Sequence, residues 1–166
     1  MDEHIDLIVP RGSNEFVAYI MDNTNIPVLG HADGICHVYV DSKADLDMAV
    51  EIAVDSKCQY VAVCNAAETL LVDNKIAEKL LLKIKIALEE KDVELRGCEL
   101  TASIIDVKAA TNEDWASEYL DYILSIKIVD GLDAAIEHIN QYGSGHTDTI
   151  ITNNKEKADK FMELVD

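Results

Sequence analysis

Short continuous apolar runs alternate with stretches of helical period from one end of the chain to the other. Residues 5–9 read as a short apolar strand broken only by Asp6, and the turn formers Pro10-Arg11-Gly12-Ser13-Asn14 follow. Phe16, Val17 and Ile20 then fall at helical spacing and predict a helix over 15–21. Residues 26–29 and 36–40 predict two buried strands. Asp41 and Ser42 are candidate N-caps for a helix over 44–56, whose inward stripe is Leu46, Ala49, Val50 and Ala53. Residues 57–67 have no clean period and predict an irregular segment. A strand over 68–72, a long helix over 75–90 with Leu80, Leu81, Ile84 and Leu88 inward, and a strand over 93–96 come next. Residues 97–119 carry no readable pattern. The remainder predicts a strand (123–129), a helix (132–142) closed by Gly143-Ser144-Gly145, a strand (147–152) and a last helix (155–165). Repeated strand–helix units of this kind imply an α/β fold, a mostly parallel sheet with helices on both faces.

Composition narrows the classes of function. The 166 residues suit about one domain, and an apolar fraction of 49% is enough to bury a core. Acidic residues number 32 against 14 basic ones, a net charge of −18. A surface so negative repels phosphate backbones and anionic lipid, so no nucleic-acid or membrane partner is expected. A small anionic substrate in a local pocket remains compatible with it. No apolar run approaches the roughly 20 residues of a membrane-spanning helix, and the start Met1-Asp2-Glu3-His4 is acidic where a signal peptide is basic. The expected location is the cytoplasm, where Cys36, Cys58, Cys64 and Cys98 would be free thiols; their spacing matches no zinc pattern. The five histidines show no metal spacing either, and no metal site is expected. His37 alternates with apolar strand residues as a satisfied or surface side chain, and His138 falls on a polar helix face.

Three stretches carry candidate chemistry, each with an ordinary alternative. Arg11-Gly12-Ser13-Asn14 lies between a strand and a helix N-terminus, where it serves either as a phosphate or cofactor contact or as a tight turn with an Asn cap. Gly30-His31-Ala32-Asp33-Gly34 is either a substrate contact or a plain connection. Cys64-Asn65-Ala66 sits in the aperiodic segment just before a strand, where a thiolate nucleophile and amide donors for an oxyanion can coexist. Cys58 is the rival thiol, and Lys57 the nearest cation in sequence. No local His or Asp completes a protease-like triad.

Taken together, several segments resemble the γ-glutamyl phosphate reductases, also called glutamate-5-semialdehyde dehydrogenases, of the aldehyde dehydrogenase superfamily. They are Ile5-Asp6-Leu7-Ile8-Val9-Pro10-Arg11-Gly12-Ser13-Asn14; Ile26 through Asp41, with Gly30-His31-Ala32-Asp33-Gly34-Ile35-Cys36-His37 at its centre; Asp55-Ser56-Lys57-Cys58-Gln59-Tyr60; Cys64-Asn65-Ala66; Glu68-Thr69-Leu70-Leu71-Val72; Glu118-Tyr119-Leu120-Asp121; and Tyr142-Gly143-Ser144-Gly145-His146-Thr147-Asp148. Each motif alone is modest, whereas the ordered set is specific. The resemblance implies an aldehyde dehydrogenase-like catalytic domain and an NADP-dependent reduction of L-glutamyl 5-phosphate to L-glutamate 5-semialdehyde in proline biosynthesis. It places Cys64 as the nucleophile, Asn65 beside the developing oxyanion, Gly12 and Ser13 at the cofactor turn and Glu118 near the nicotinamide ribose. Cys58 matches a second family cysteine. The stretch Val28-Leu29-Gly30 lacks the glutamate with which oxidising relatives activate water, as suits a reductase that must protect its thioester. Val61, Ala18 and Asp73 depart from the family's usual proline, basic residue and histidine.

The resemblance also implies that the chain is less than half of such an enzyme. Residues 1–28 would be the C-terminal end of a cofactor-binding domain and 29–166 most of the catalytic domain. The whole enzyme would be a homo-oligomer, and this portion by itself inactive. Alternative readings are an acyl reductase of another acyl phosphate or thioester, and a non-catalytic binding domain derived from the same fold.

Overall fold

The computed structural model describes residues 4–30 and 33–166, and only the backbone of residue 14. His31 and Ala32 of the predicted loop, and Met1 to Glu3 of the acidic start, lie outside the described residues. The chain groups into two compact units, Met1–Asp33 and Gly34–Asp166.

In the first unit, helix α1 spans Asn14–Asp22. Ser13 is its N-cap, its hydroxyl accepting the Phe16 N–H at 3.3 Å, so the cap comes one residue before the Asn suggested by the sequence. The strands predicted over 5–9 and 26–29 reduce to one parallel bridge between Ile8 and Val28. Two hydrogen bonds hold it, Ile8 N–H to Pro27 O and Leu29 N–H to Ile8 O. Leu7, Val9 and Leu29 are exposed, and a pair of short segments that, among the described residues, bond only to each other does not extend into a ladder.

The second unit is a six-stranded sheet in which every pairing is parallel. Its strands are β1 (Cys36–Val40), β2 (Ala67–Asp73), β3 (Glu94–Gly97), β4 (Lys108–Ala109), β5 (Ile123–Val129) and β6 (Asp148–Ile151), in the order β4-β3-β5-β2-β1-β6. The helices are α2 (Leu46–Cys58), α3 (Ala77–Glu89), the single turn α4 (Glu99–Ala102), α5 (Gly131–Tyr142) and α6 (Lys155–Leu164). Helices α2 and α3 lay Ala49, Ala53, Leu80, Leu81, Ile84 and Leu88 on one face of the sheet, against Val38, Leu70, Val72 and Ile126. On the other face α5 and α6 bring Ala135, Ile136, Ile139 and Phe161 against Tyr39, Leu71 and Val129. Burial on both faces explains why the central strands read as continuous apolar runs rather than alternating ones.

Two local expectations are corrected. Helix α2 is capped not by Asp41 or Ser42 but by Asp45, whose carboxylate accepts the N–H groups of Asp47 and Met48. Asp41, fully buried at the end of β1, instead accepts from Lys43 N–H, the Thr152 hydroxyl and the Lys157 ammonium. Burial pushes its pKa up, and those donors outweigh that and leave it below the ordinary carboxylate range. His138 lies not on a polar face but in the interior at 4% exposure, because α5 turns that side toward Trp115 and His37. The unreadable stretch resolves into α4, β4 and a 3₁₀ turn at Asp114–Ala116, each too short to show a period.

One register level of the sheet is polar on every strand. Asp148, His37, Thr69, Ser125, Arg96 and Lys108 are successive neighbours from β6 to β4. Leu80 lies at the centre of the opposite, apolar layer with no exposure. Leu80→Ala is therefore expected to lower unfolding stability by about 2–5 kcal/mol, measured by chemical denaturation. A loss within experimental error would mean that α3 does not pack as described.

Candidate active site

Four loops meet at the amino-terminal edge of the parallel sheet: those leading into β1 (Gly34, Ile35), β2 (Gln59 to Ala66), β5 (Ser117 to Tyr122) and β6 (Gly143 to Thr147). They carry the segments singled out from the sequence in this unit. Cys64 lies in the second loop and is exposed, as is Asn65. The loop turns tightly after it, Ala66 N–H donating to Val63 O at 3.0 Å.

The backbone of Cys64 is held from below. A Cβ built on Gly34 would fall 1.9 Å from the Cys64 carbonyl oxygen and 2.7 Å from its Cα. Only glycine permits so close an approach of the two loops. The Cys36 thiol donates to the same carbonyl at 3.2 Å and lies 3.7 Å from His146 Nδ1. Burial, reinforced by the Asp148 carboxylate, pushes the Cys36 pKa up to about 12, so this thiol remains a protonated donor.

Glu118, half-buried in the loop before β5, accepts the Gly34 N–H at 3.0 Å. The structure thus joins Cys64 and Glu118 through one glycine. Ile35 N–H donates to the Ser144 hydroxyl at 3.0 Å, tying in the loop before β6. Gly12 and Ser13 belong to the first unit, where Gly12 adopts φ 154° and an added Cβ would lie 2.8 Å from the Phe16 ring.

Lys57 and Glu68 bracket the Cys64 loop and were not recognised as site residues in the sequence. Both side chains are essentially unexposed, and the ammonium meets Glu68 Oε2 at 2.6 Å. Lys57 is therefore occupied by a buried carboxylate. Burial raises the Glu68 pKa above its ordinary value although Lys57 opposes the shift. Its other oxygen accepts the Leu120 N–H at 3.3 Å. Leu120 is held at φ 52°, a left-handed conformation that costs a bulky residue of order 1–3 kcal/mol. The trace in the sequence was helical spacing: Lys57 continues the buried stripe of Ala49 and Ala53.

The remaining thiols stand apart in character. Burial raises the Cys58 pKa, with Lys57 and Lys91 opposing. For Cys98, at the start of α4, burial is outweighed by hydrogen bonds, the Thr101 hydroxyl first among them, and its pKa falls. Cys98 follows β3 and so belongs to the opposite, carboxyl edge of the sheet. Among the described residues no helix is long and apolar enough to cross a membrane, and no cluster of three or more side chains could hold a metal.

No protein-family model matches the chain. It is similar along its whole length to curated γ-glutamyl phosphate reductases, with 68% identity over 166 residues to that of Acetivibrio thermocellus, and it spans 38% of that relative's length. The crystal structure of γ-glutamyl phosphate reductase from Thermotoga maritima superposes with a TM-score of 0.97 at 44% identity, over 100% of this chain and 40% of that one. The NADP-dependent glyceraldehyde-3-phosphate dehydrogenase of Bacillus halodurans, solved with NADP, matches 97% of this chain and 42% of its own with a TM-score of 0.78 at 19% identity, which shows a shared fold. The α/β architecture and the family resemblance expected from the sequence are both found.

Two predictions follow from the geometry. Gly34→Ala forces the Cys64 carbonyl aside, so the rate of iodoacetamide labelling at Cys64, followed by peptide mapping, should change several-fold while Cys98 keeps its rate. An unchanged Cys64 rate would refute the close approach. Lys57→Met strands the Glu68 carboxylate and should destabilise the protein by about 3–5 kcal/mol at neutral pH. A carboxyl whose pKa is raised on folding binds its proton more tightly in the native state, so its contribution falls as pH rises through that value. The Lys57→Met deficit should therefore shrink as pH is lowered toward the ordinary glutamate value of 4.5. A deficit independent of pH would show that an unpaired Glu68 charge is not its cause.

Proposed function

We propose that this chain is the catalytic-domain portion of a γ-glutamyl phosphate reductase, in which residues 29–166 form most of that domain and residues 1–28 the end of the cofactor-binding domain. The observation that carries the reading is Cys64: an exposed thiol on a loop fastened by Gly34, Cys36 and Glu118, in a chain similar throughout to such reductases.

In this reading the Cys64 thiolate attacks the acyl carbon of L-glutamyl 5-phosphate. Phosphate leaves, and a thioester remains on Sγ. The Asn65 side chain and backbone N–H lie beside the developing oxyanion and stabilise it. A bound nicotinamide dinucleotide, NADPH, supplies the hydride that reduces the thioester carbonyl. Collapse of the resulting adduct releases glutamate 5-semialdehyde and returns the thiolate, completing a step of proline biosynthesis. Glu118 suits the cofactor's ribose: one carboxylate oxygen accepts the Gly34 N–H, and among the described residues the other is left to accept a hydroxyl. The Gly12-Ser13 turn at the head of α1 suits the cofactor as well, through the dipole of a nine-residue helix and a backbone conformation favouring glycine. Val28-Leu29-Gly30 provides no carboxylate to activate water, which preserves the thioester for reduction. The intact enzyme works as a cytoplasmic homo-oligomer, and this portion without the rest does not turn over, because the hydride donor needs a preorganised site.

The test is Cys64→Ser in the intact enzyme. Serine keeps the size but stays protonated at neutral pH. The kcat for NADPH-dependent reduction should fall by several orders of magnitude with folding nearly unchanged, and Cys58→Ser should cost far less. Near-normal kcat in Cys64→Ser with activity abolished in Cys58→Ser would transfer the nucleophile's role to Cys58.

A further inference from the structure

Cys36 is buried beneath the candidate site, at 3% exposure, and the reaction assigned to Cys64 gives it no part. Its sulfur is held from two sides. A hydrogen bond from the Thr147 backbone reaches it from the loop before β6, and its S–H donates to the Cys64 carbonyl oxygen at 3.2 Å. A carbonyl oxygen only accepts, so between these two atoms the proton is on sulfur. Burial keeps it there, with the Asp148 carboxylate adding to a pKa of about 12. His146 Nδ1 is farther away, at 3.7 Å, and has the Thr147 hydroxyl at 2.8 Å.

The acceptor is one half of a peptide group whose other half is the Asn65 N–H. A peptide unit is planar and trans, so its C=O and N–H point in opposite directions. The carbonyl half faces inward. Besides Cys36, the Gly34 backbone lies so close that an added Cβ would stand 1.9 Å from the oxygen and 2.6 Å from the carbonyl carbon. The Asn65 N–H therefore faces outward, on the side where Cys64 and Asn65 are exposed, and among the described residues no acceptor takes it. A hydrogen bond into the carbonyl also polarises the peptide and makes the N–H at its other end a stronger donor.

We propose that Cys36 is a positioning residue: its S–H···O=C bond locks the plane of the Cys64–Asn65 peptide and so aims the Asn65 N–H at the oxyanion that forms when the neighbouring Cys64 sulfur adds to an acyl carbon. The proposal deepens the reading of Cys64 as the nucleophile and rests on it. Donors to an oxyanion are most effective when they are in place before the charge develops, because a peptide that must turn during the reaction loses much of the stabilisation it offers. An untethered Cys64–Asn65 peptide could turn its N–H away. Gly34 leaves room for the carbonyl, and Cys36 holds it there. Cys36 itself forms no bond to substrate.

The experiment compares Cys36→Ala, Cys36→Ser and Cys64→Ser in the intact enzyme. The assay is NADP-dependent oxidation of glutamate 5-semialdehyde with inorganic phosphate, which passes through the same oxyanion in reverse. Cys36→Ala removes the donor and should lower kcat by about 10- to 100-fold while leaving KM for the aldehyde within about twofold. Cys36→Ser restores an O–H donor and should recover most of the loss. Alkylation of Cys64 by iodoacetamide displaces iodide and forms no oxyanion, so its peptide-mapped rate in Cys36→Ala should stay within about twofold of that in the unsubstituted enzyme. A loop that was merely loosened would move both reactions together. An undiminished kcat in Cys36→Ala, a parallel loss of alkylation and turnover, or a Cys36→Ser enzyme no better than Cys36→Ala would each overturn the proposal. Normal turnover in Cys64→Ser would overturn the nucleophile assignment itself, and the proposal with it, whatever the two Cys36 variants do.

Discussion

The site hangs on the buried pair Lys57–Glu68. Lys57 closes helix α2, Glu68 enters strand β2, and the loop between them carries Cys64. Pairing at 2.6 Å without solvent pins both ends of that loop to the core. The same carboxylate reaches Leu120 and fixes the approach to β5, from which Glu118 reaches Gly34 and the approach to β1. A charge pair of this kind contributes little net stability compared with an apolar replacement, yet losing one member is severe. Its value here is positional, because three loops take their places from one ion pair and one glycine.

These contacts put the candidate site at an unusual end of the sheet. In open parallel α/β sheets ligands ordinarily bind beyond the carboxyl ends of the strands. Here the carboxyl ends of β1 and β2 are closed by Asp41 and Asp73 with the Tyr39 hydroxyl between them at 3.4 Å from each. Burial, followed by the two carboxylates, raises the Tyr39 pKa well above the ordinary phenol value. Lys157 and Thr152 complete that knot. The amino edge, with its four convergent loops, is left to present the exposed Cys64 thiol.

The two faces of the sheet divide the labour. The face under α2 and α3 is apolar and gives the domain its main core. The face under α5 becomes polar toward the amino edge, where Asp148, His37, Thr69 and Ser125 lie side by side. Ser125 exchanges a hydrogen bond with the Tyr119 hydroxyl at 2.7 Å, and Tyr119 donates to Asp114 at 2.8 Å. Burial acts against the Asp114 charge, but Thr111 N–H, Arg96 and Tyr119 hold its pKa down at about 2. The His37–Asp148 and Ser125–Tyr119–Asp114 hydrogen bonds beneath the loops are stiffer than packed methyl groups, because each bond has a direction and is expensive to leave unmade.

Much of this was legible in the chain itself. Strand β1 falls where its apolar run predicts, and α3, β5, α5 and α6 lie within two residues of expectation, because period and apolar continuity are local properties that burial merely reads out. The ordered motifs singled out the segments of Cys64 and Glu118, which the structure brings together around Gly34. What the sequence left open depended on partners distant along the chain. Asp41 looked like a helix cap until Thr152 and Lys157 were beside it. His138 looked solvated until Trp115 and Lys127 enclosed it. Lys57 looked like a free cation until Glu68 took it. Gly34 looked like any loop glycine until the Cys64 backbone lay against it. A polar side chain is assigned its role by whatever stands within about 3 Å, and only the folded chain decides what that is.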